Sequence, residues 1–113
     1  MKLSDIKTTL DARVLCNEDV LDEEVFSVCG SDLMSDVLAF VKDQAVMLTG
    51  LVNQQVVRTA EMMDMKCIVF VRGKEPDESI IKLASSRGLI IMTTEHTMYV
   101  ACGKLYATGL GNV

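Results

Sequence analysis

The sequence predicts an α/β protein with three layers, α/β/α, around a largely parallel central sheet of about five strands. Three observations predict it. From residue 45 to residue 109, short apolar runs alternate with amphipathic stretches in the order strand, helix, strand, helix, strand, helix. Those runs are apolar at every position, as strands covered on both faces must be. Finally, 113 residues suffice for one hydrophobic core and not for two, so a single domain over 1–113 is expected.

The elements follow in order. Residues 4–10 read as a short helix capped by Ser4, with Leu3, Ile6 and Leu10 on one face. Arg13 to Cys16 reads as a strand, residues 17–24 as an acidic connection, and Val25 to Cys29 as a second strand. Gly30-Ser31 then breaks the chain before a helix from Asp32 to about Val41. Its residues Leu33, Met34, Val37, Leu38 and Val41 have helical spacing, and Asp32 stands where the positive end of the helix dipole favours an acid. Ala45 to Thr49 is a short strand, 50–53 a turn, and Gln54 to Met65 a helix with Val56, Val57, Ala60 and Met63 inward. Lys66 to Val71 is the most strand-like run in the chain, β-branched and aromatic. After a turn at 73–76, Pro76-Asp77-Glu78 opens a helix with Ile80, Ile81, Leu83 and Ala84 inward, ending at Gly88. Leu89 to Thr93 is the last strand and Glu95 to Gly109 the last helix. Right-handed crossovers should join the parallel strands.

Composition narrows the function. Half of the residues are hydrophobic and 24% are charged, as in folded soluble proteins. The longest apolar runs, such as Cys67 to Val71, reach about five residues, whereas a membrane span needs about 20. The first residues, Met1-Lys2-Leu3-Ser4-Asp5, lack the apolar stretch of a secretion signal, so a cytoplasmic location is expected, without a membrane partner. Net charge is −5, which argues against a nucleic-acid partner. Residues 1–43 hold ten acids and four bases, and residues 44–113 hold six acids and seven bases. The near-neutral second part can therefore meet an anionic ligand, while the acidic first part, with Glu23 and Glu24, could meet a basic partner. Cys16, Cys29, Cys67 and Cys102 have no metal or redox spacing and His96 is the only histidine, so no metal site and no cofactor are expected. Reduced thiols are the default, with Cys67 and Cys102 in the core.

Several enzyme signatures are absent. There is no G-x-x-x-x-G-K-[ST] loop, no G-x-G-x-x-G followed by a helix, and no G-x-S-x-G elbow. Asp32 and Asp36, one turn apart, read as capping and dipole residues. What remains is positional. In an open parallel sheet, ligands bind beyond the carboxyl ends of the strands, near helix N-termini. Those ends carry Thr49, Gly50 and Asn53, then Arg72, Gly73 and Lys74, then Thr93, Thr94 and His96. Hydroxyls, glycines, two cations and an imidazole suit an anionic, nucleotide-like small molecule. The competing reading makes Thr94 and Asn53 helix caps, Gly50 and Gly73 turn residues, and Arg72 and Lys74 solvated. Among the methionines, Met63 fits core spacing while Met62 and Met65 fall off that face, which leaves two readings, an adaptable contact surface for self-association or ordinary packing.

The run Ser31-Asp32-Leu33-Met34-Ser35-Asp36-Val37, then Leu48-Thr49 and the helix from Asn53 to Ala60, resembles the DRTGG domain family. So do Ile68-Val69-Phe70-Val71-Arg72-Gly73-Lys74-Glu75-Pro76-Asp77, Leu89-Ile90-Ile91-Met92-Thr93-Thr94 and Cys102-Gly103-Lys104-Leu105-Tyr106. The resemblance covers nearly the whole chain. It implies an α/β/α fold similar to the N-terminal domain of HPr kinase/phosphorylase, a regulatory role alongside CBS modules in nucleotide-regulated enzymes, and association as dimers. The Asp-Arg-Thr-Gly-Gly motif itself is absent: the nearest stretch is Asp22-Glu23-Glu24-Val25, and Gly30 is the only glycine near it.

The expected function is thus a non-catalytic, homodimeric regulatory module that senses an anionic nucleotide-like ligand. The alternative is a protein-interaction module without a small ligand, bound to a regulatory protein partner. An enzyme using His96 as general base is the third reading, and no nucleophile stands at a recognisable spacing from it.

Overall fold

The computed structural model describes residues 1–40 and 45–111. Five strands form one sheet: β1 (Arg13–Cys16), β2 (Ser27–Gly30), β3 (Ala45–Thr49), β4 (Cys67–Phe70) and β5 (Ile90–Thr93). The helices are α1 (Leu3–Thr9), α2 (Met34–Phe40), α3 (Gln54–Met62), α4 (Glu78–Ser86) and α5 (Met98–Ala107), with a 3-10 turn at Glu18–Val20. The strand order is β1-β5-β4-β3-β2. Strands β2 to β5 pair in parallel with one another, and β1 runs antiparallel to β5.

Successive parallel strands are laid down in one direction across the sheet. Crossovers of one hand must then place their helices on one face. Accordingly α2, α3 and α4 cover the side chains of Met47, Ile68, Phe70 and Ile91. On the other face α1 and α5 cover Val46, Leu48, Val69, Ile90 and Met92. All of β3, β4 and β5 is buried on both faces, which is why their sequences show no alternation.

Element boundaries differ from expectation where backbone partners or solvent decide. The first helix starts at Leu3 with Lys2, not Ser4, at the N-cap. Its first N–H groups need no serine, because Leu3 N–H donates to Glu23 C=O and Ser4 N–H to Leu21 C=O. The second strand starts at Ser27, since Val25 N–H is claimed by Met1 C=O. In α2 only Met34 and Val37 are buried among the expected apolar residues; Leu33 and Leu38 face solvent, and Val41 lies outside the described residues. The third helix ends at Met62, and Asp64 turns the chain in the left-handed region. That turn folds Met65 back into the core, 4% exposed, contrary to its expected place off the packed face. Met62 does face solvent, 72% exposed. In α4 Ile80 and Ala84 are buried, whereas Ile81 and Leu83 are half-buried. The last helix begins at Met98, capped by Thr97 through its bond from Val100 N–H, so Glu95 and His96 belong to the preceding loop. All four cysteines are free thiols. Cys67 is fully buried, while Cys102 is half-buried at the surface of its helix.

Candidate functional site

At the carboxyl edge of the parallel strands, three loops meet: 31–33 after β2, 50–53 after β3 and 71–77 after β4. Asp32 joins the first two. Its Oδ1 accepts the Gly50 N–H at 2.7 Å and the Thr49 hydroxyl at 3.1 Å. Thr49 is fully buried, and its hydroxyl oxygen also accepts the Leu51 N–H. Asp32 is therefore a bridge between loops rather than the dipole partner expected of it; Asp36, in the first turn of α2, keeps that role. Gly50 is tied from its other side as well, because its C=O accepts Lys74 Nζ at 2.9 Å.

Arg72 lies over the same glycine. A Cβ placed on Gly50 would stand 3.0 Å from Arg72 Nη2 and 3.6 Å from Asp32 Oδ1, so glycine is what lets the guanidinium approach the backbone. Arg72 and Gly73 both adopt the left-handed region, at φ 59° and 66°. That conformation is uncommon for arginine. It is held by hydrogen bonds from Arg72 N–H to His96 C=O (2.8 Å) and from Gly73 N–H to Thr94 C=O (2.7 Å). The Arg72 side chain is exposed and has no hydrogen-bond or ion-pair partner among the described residues.

The remaining candidates are scaffold. Thr93 Oγ1 donates to Lys74 C=O, and the buried Thr94 Oγ1 donates to Leu10 C=O and accepts His96 N–H. Thr94 thus pins the β5 exit to the end of α1 and does not cap α5. Asn53 Oδ1 accepts Val56 N–H as the N-cap of α3. His96 contributes its backbone, and its half-buried ring has no partner among the described residues. Arg72, Lys74 and Asp32 therefore meet at Gly50, with Thr49 held beside it by Asp32; Gly73, Thr93, Thr94 and His96 brace the neighbouring loops, and Asn53 caps a helix.

Two features escaped sequence reading. Asp32 as a loop bridge leaves no signal distinct from a helix cap. Beside Gly73 stands Glu95, whose carboxylate would overlap any Cβ there at 2.5 Å. With Asp11, Arg13 and Glu75 it lines a hollow of about 300 Å³ at the same edge, and Arg13 and Glu75 form an ion pair in its wall. Glu23 and Glu24, expected to be free for a basic partner, meet Lys66 and the N-terminal amine. Among the described residues, no three His, Cys, Asp or Glu side chains converge as a metal site requires, and no helix is long and apolar enough to cross a membrane.

This is an α/β/α domain with a small cationic feature at the carboxyl edge of its sheet. The DRTGG domain family model matches residues 5–107, and the chain belongs to that family. Comparison with curated protein sequences returns no match. Among solved structures, the chain is similar to the CBS and DRTGG domains of the regulatory region of Clostridium perfringens pyrophosphatase, in complex with its activator diadenosine tetraphosphate. The TM-score is 0.72 at 19% identity, over 92% of this chain and 45% of that one. The chain thus spans less than half the length of that structure, and the likeness is one of fold.

Proposed function

We propose that this chain is a non-catalytic regulatory module, one domain over 1–113, that works in the cytoplasm as a homodimer and senses an anionic, nucleotide-like ligand. The observation that carries the reading is the unpaired Arg72 guanidinium beside Lys74 over Gly50, at the carboxyl ends of parallel strands. Arginine in that setting matches phosphate oxygens in a bidentate fork, and Lys74 adds a point charge. The similar structure holds a dinucleoside polyphosphate, and a ligand of that chemistry would supply phosphates for both cations. The kinship expected with the HPr kinase N-terminal domain fits the same regulatory role. Catalysis finds little support, because Thr93 and Thr94 spend their hydroxyls on backbone carbonyls and, among the described residues, no nucleophile is hydrogen-bonded to the His96 ring.

A thermal-shift screen of adenine mono-, di- and triphosphates and dinucleoside polyphosphates tests this reading. Ligand at 100 times its dissociation constant adds about 2.7 kcal/mol, and each kcal/mol raises the midpoint by roughly 4–8 °C in a domain of this size. A shift of that order, lost in the Arg72→Ala/Lys74→Ala double variant, is the expected result. A flat screen would leave the second reading, a protein-interaction module with a regulatory partner. That reading is favoured by the exposure of Met62 at the end of α3.

A further inference from the structure

The outward face of α5 is as apolar as its inward face. Ala101 and Leu105 point into the core, yet Tyr99 is 87% exposed, Tyr106 65% and Val100 40%. A helix that is hydrophobic all round normally has both faces covered. Here the outer face borders a groove of about 680 Å³ whose walls include Met98, Cys102, Val28 and Gly30. Val28 and Gly30 belong to β2, the edge strand. That strand carries no charged residue (Ser27, Val28, Cys29, Gly30), and Phe26, just before it, is 62% exposed. Gly111 packs against that strand at Ser27 and Val28, and an uncharged edge strand is one that proteins ordinarily cover or guard.

Gly103 is a separate observation. It sits in the middle of α5, four residues after Tyr99 and three before Tyr106, on one stripe with both. A Cβ there would meet nothing within 4 Å. Glycine costs a helix interior about 1 kcal/mol relative to alanine, and no contact among the described residues accounts for it. A second backbone crossing the helix at that point does, because only a missing side chain lets it come close.

We infer that the α5 and β2-edge surface, centred on Gly103 between Tyr99 and Tyr106, is where a second copy of this chain docks. The inference rests on the homodimeric part of the proposed function and assigns it a place. Charge selects the occupant. The chain carries −5, and α5 holds no acid and one base, Lys104, so two like-charged copies can meet there with least repulsion. A basic partner would find no acid on this helix, and a nucleic acid would find a single cation. The exposed apolar side chains supply a large share of the area a dimer needs. Exposed Phe and Tyr side chains contribute about 150–250 Å² each when fully covered. Tyr99, Tyr106, Phe26 and Val100 together thus offer on the order of 400–500 Å², over half of the roughly 800 Å² per partner of a standard interface. A twofold contact would bring each Gly103 stripe against its counterpart.

Sedimentation velocity across micromolar concentrations tests the assignment with wild type, Tyr106→Glu, Gly103→Arg and, as a control, Leu38→Glu on the opposite layer. Circular dichroism melts establish that each variant is folded, and Gly103→Arg projects into open space. The expected result is a wild-type dimer, a dimerisation constant weakened at least tenfold in both α5 variants, and an unchanged dimer in Leu38→Glu. A dimer that persists in folded Tyr106→Glu and Gly103→Arg overturns this surface while leaving the homodimer in place. A wild type that stays monomeric throughout overturns both.

Discussion

Asp32 and Gly50 are joined by a 2.7 Å hydrogen bond from the glycine N–H to the carboxylate, and through it the loop entering α2 is fastened to the end of β3. The same oxygen accepts a hydrogen bond from the hydroxyl of buried Thr49. Asp32→Ala should therefore leave Gly50 N–H and Thr49 Oγ1 short of a partner, at a cost of about 1–2 kcal/mol. Urea denaturation should show a lower midpoint with an unchanged slope. Asp32→Asn, which keeps an acceptor oxygen, should lose less. Equal stability of wild type and the alanine variant would contradict the bridging role.

Gly50 and Gly73 should respond differently to alanine. At Gly73 the backbone is left-handed and Glu95 fills the space, so Gly73→Ala should destabilise by about 1–3 kcal/mol. At Gly50 the nearest atom is the tip of the flexible Arg72 side chain, 3.0 Å from the new Cβ. Gly50→Ala should fold with little change in thermal midpoint while displacing the guanidinium. A nucleotide that stabilises the wild type should then stabilise Gly50→Ala less.

Asn53 separates a cap from a ligand contact. Its carboxamide oxygen receives the Val56 N–H, so Asn53→Ala should lower stability by about 1 kcal/mol and leave the affinity for any nucleotide as it was. Titration calorimetry on the folded variant checks this, and a large loss of affinity would restore Asn53 to the site.

The thiols set an alkaline limit. Burial pushes the Cys67 thiol far up, and the half-buried Cys16, Cys29 and Cys102 are raised by the same cause. A group whose folded pKa is raised contributes stability that is whole below its unfolded value and is lost as pH climbs beyond it. Unfolding free energy should thus fall from about pH 9 upward, and Cys67→Ala should flatten part of that slope. In the native protein at pH 8, iodoacetamide followed by mass spectrometry should leave Cys67 unmodified, with the other three alkylated more slowly than a free thiol. Native labelling of Cys67 as fast as the other three would contradict its burial.

The sheet was legible because burial on both faces writes itself into sequence: Ile68-Val69-Phe70 or Ile90-Ile91-Met92 fit little else. The helices were legible where one face is buried, as with Val56, Val57 and Ala60. Reading failed where tertiary partners replace local ones. Ser4 is a good cap on paper, but carbonyls of residues 21 and 23 already serve that helix end. Asp32 has the chemistry of a cap and the position of a bridge, and only the fold tells them apart. The left-handed Arg72 has no turn-forming signature of its own, since His96 and Thr94 carbonyls from a distant loop hold it. Met65 was misplaced because the chain reverses at Asp64, one residue before helical spacing could have carried it outward. The outer face of α5 was not legible at all, because the exposed Tyr99, Val100 and Tyr106 share their helix with the buried Ala101 and Leu105 and no polar stripe marks which side meets solvent.

Isothermal titration of diadenosine tetraphosphate and ATP into wild type and folded Arg72→Ala tests the central claim most directly. The account predicts saturable binding by wild type, weakened at least tenfold in the variant and weakened further by added salt, as a charge-assisted phosphate contact requires. Equal affinity in both proteins, or no heat of binding with either nucleotide, would contradict it.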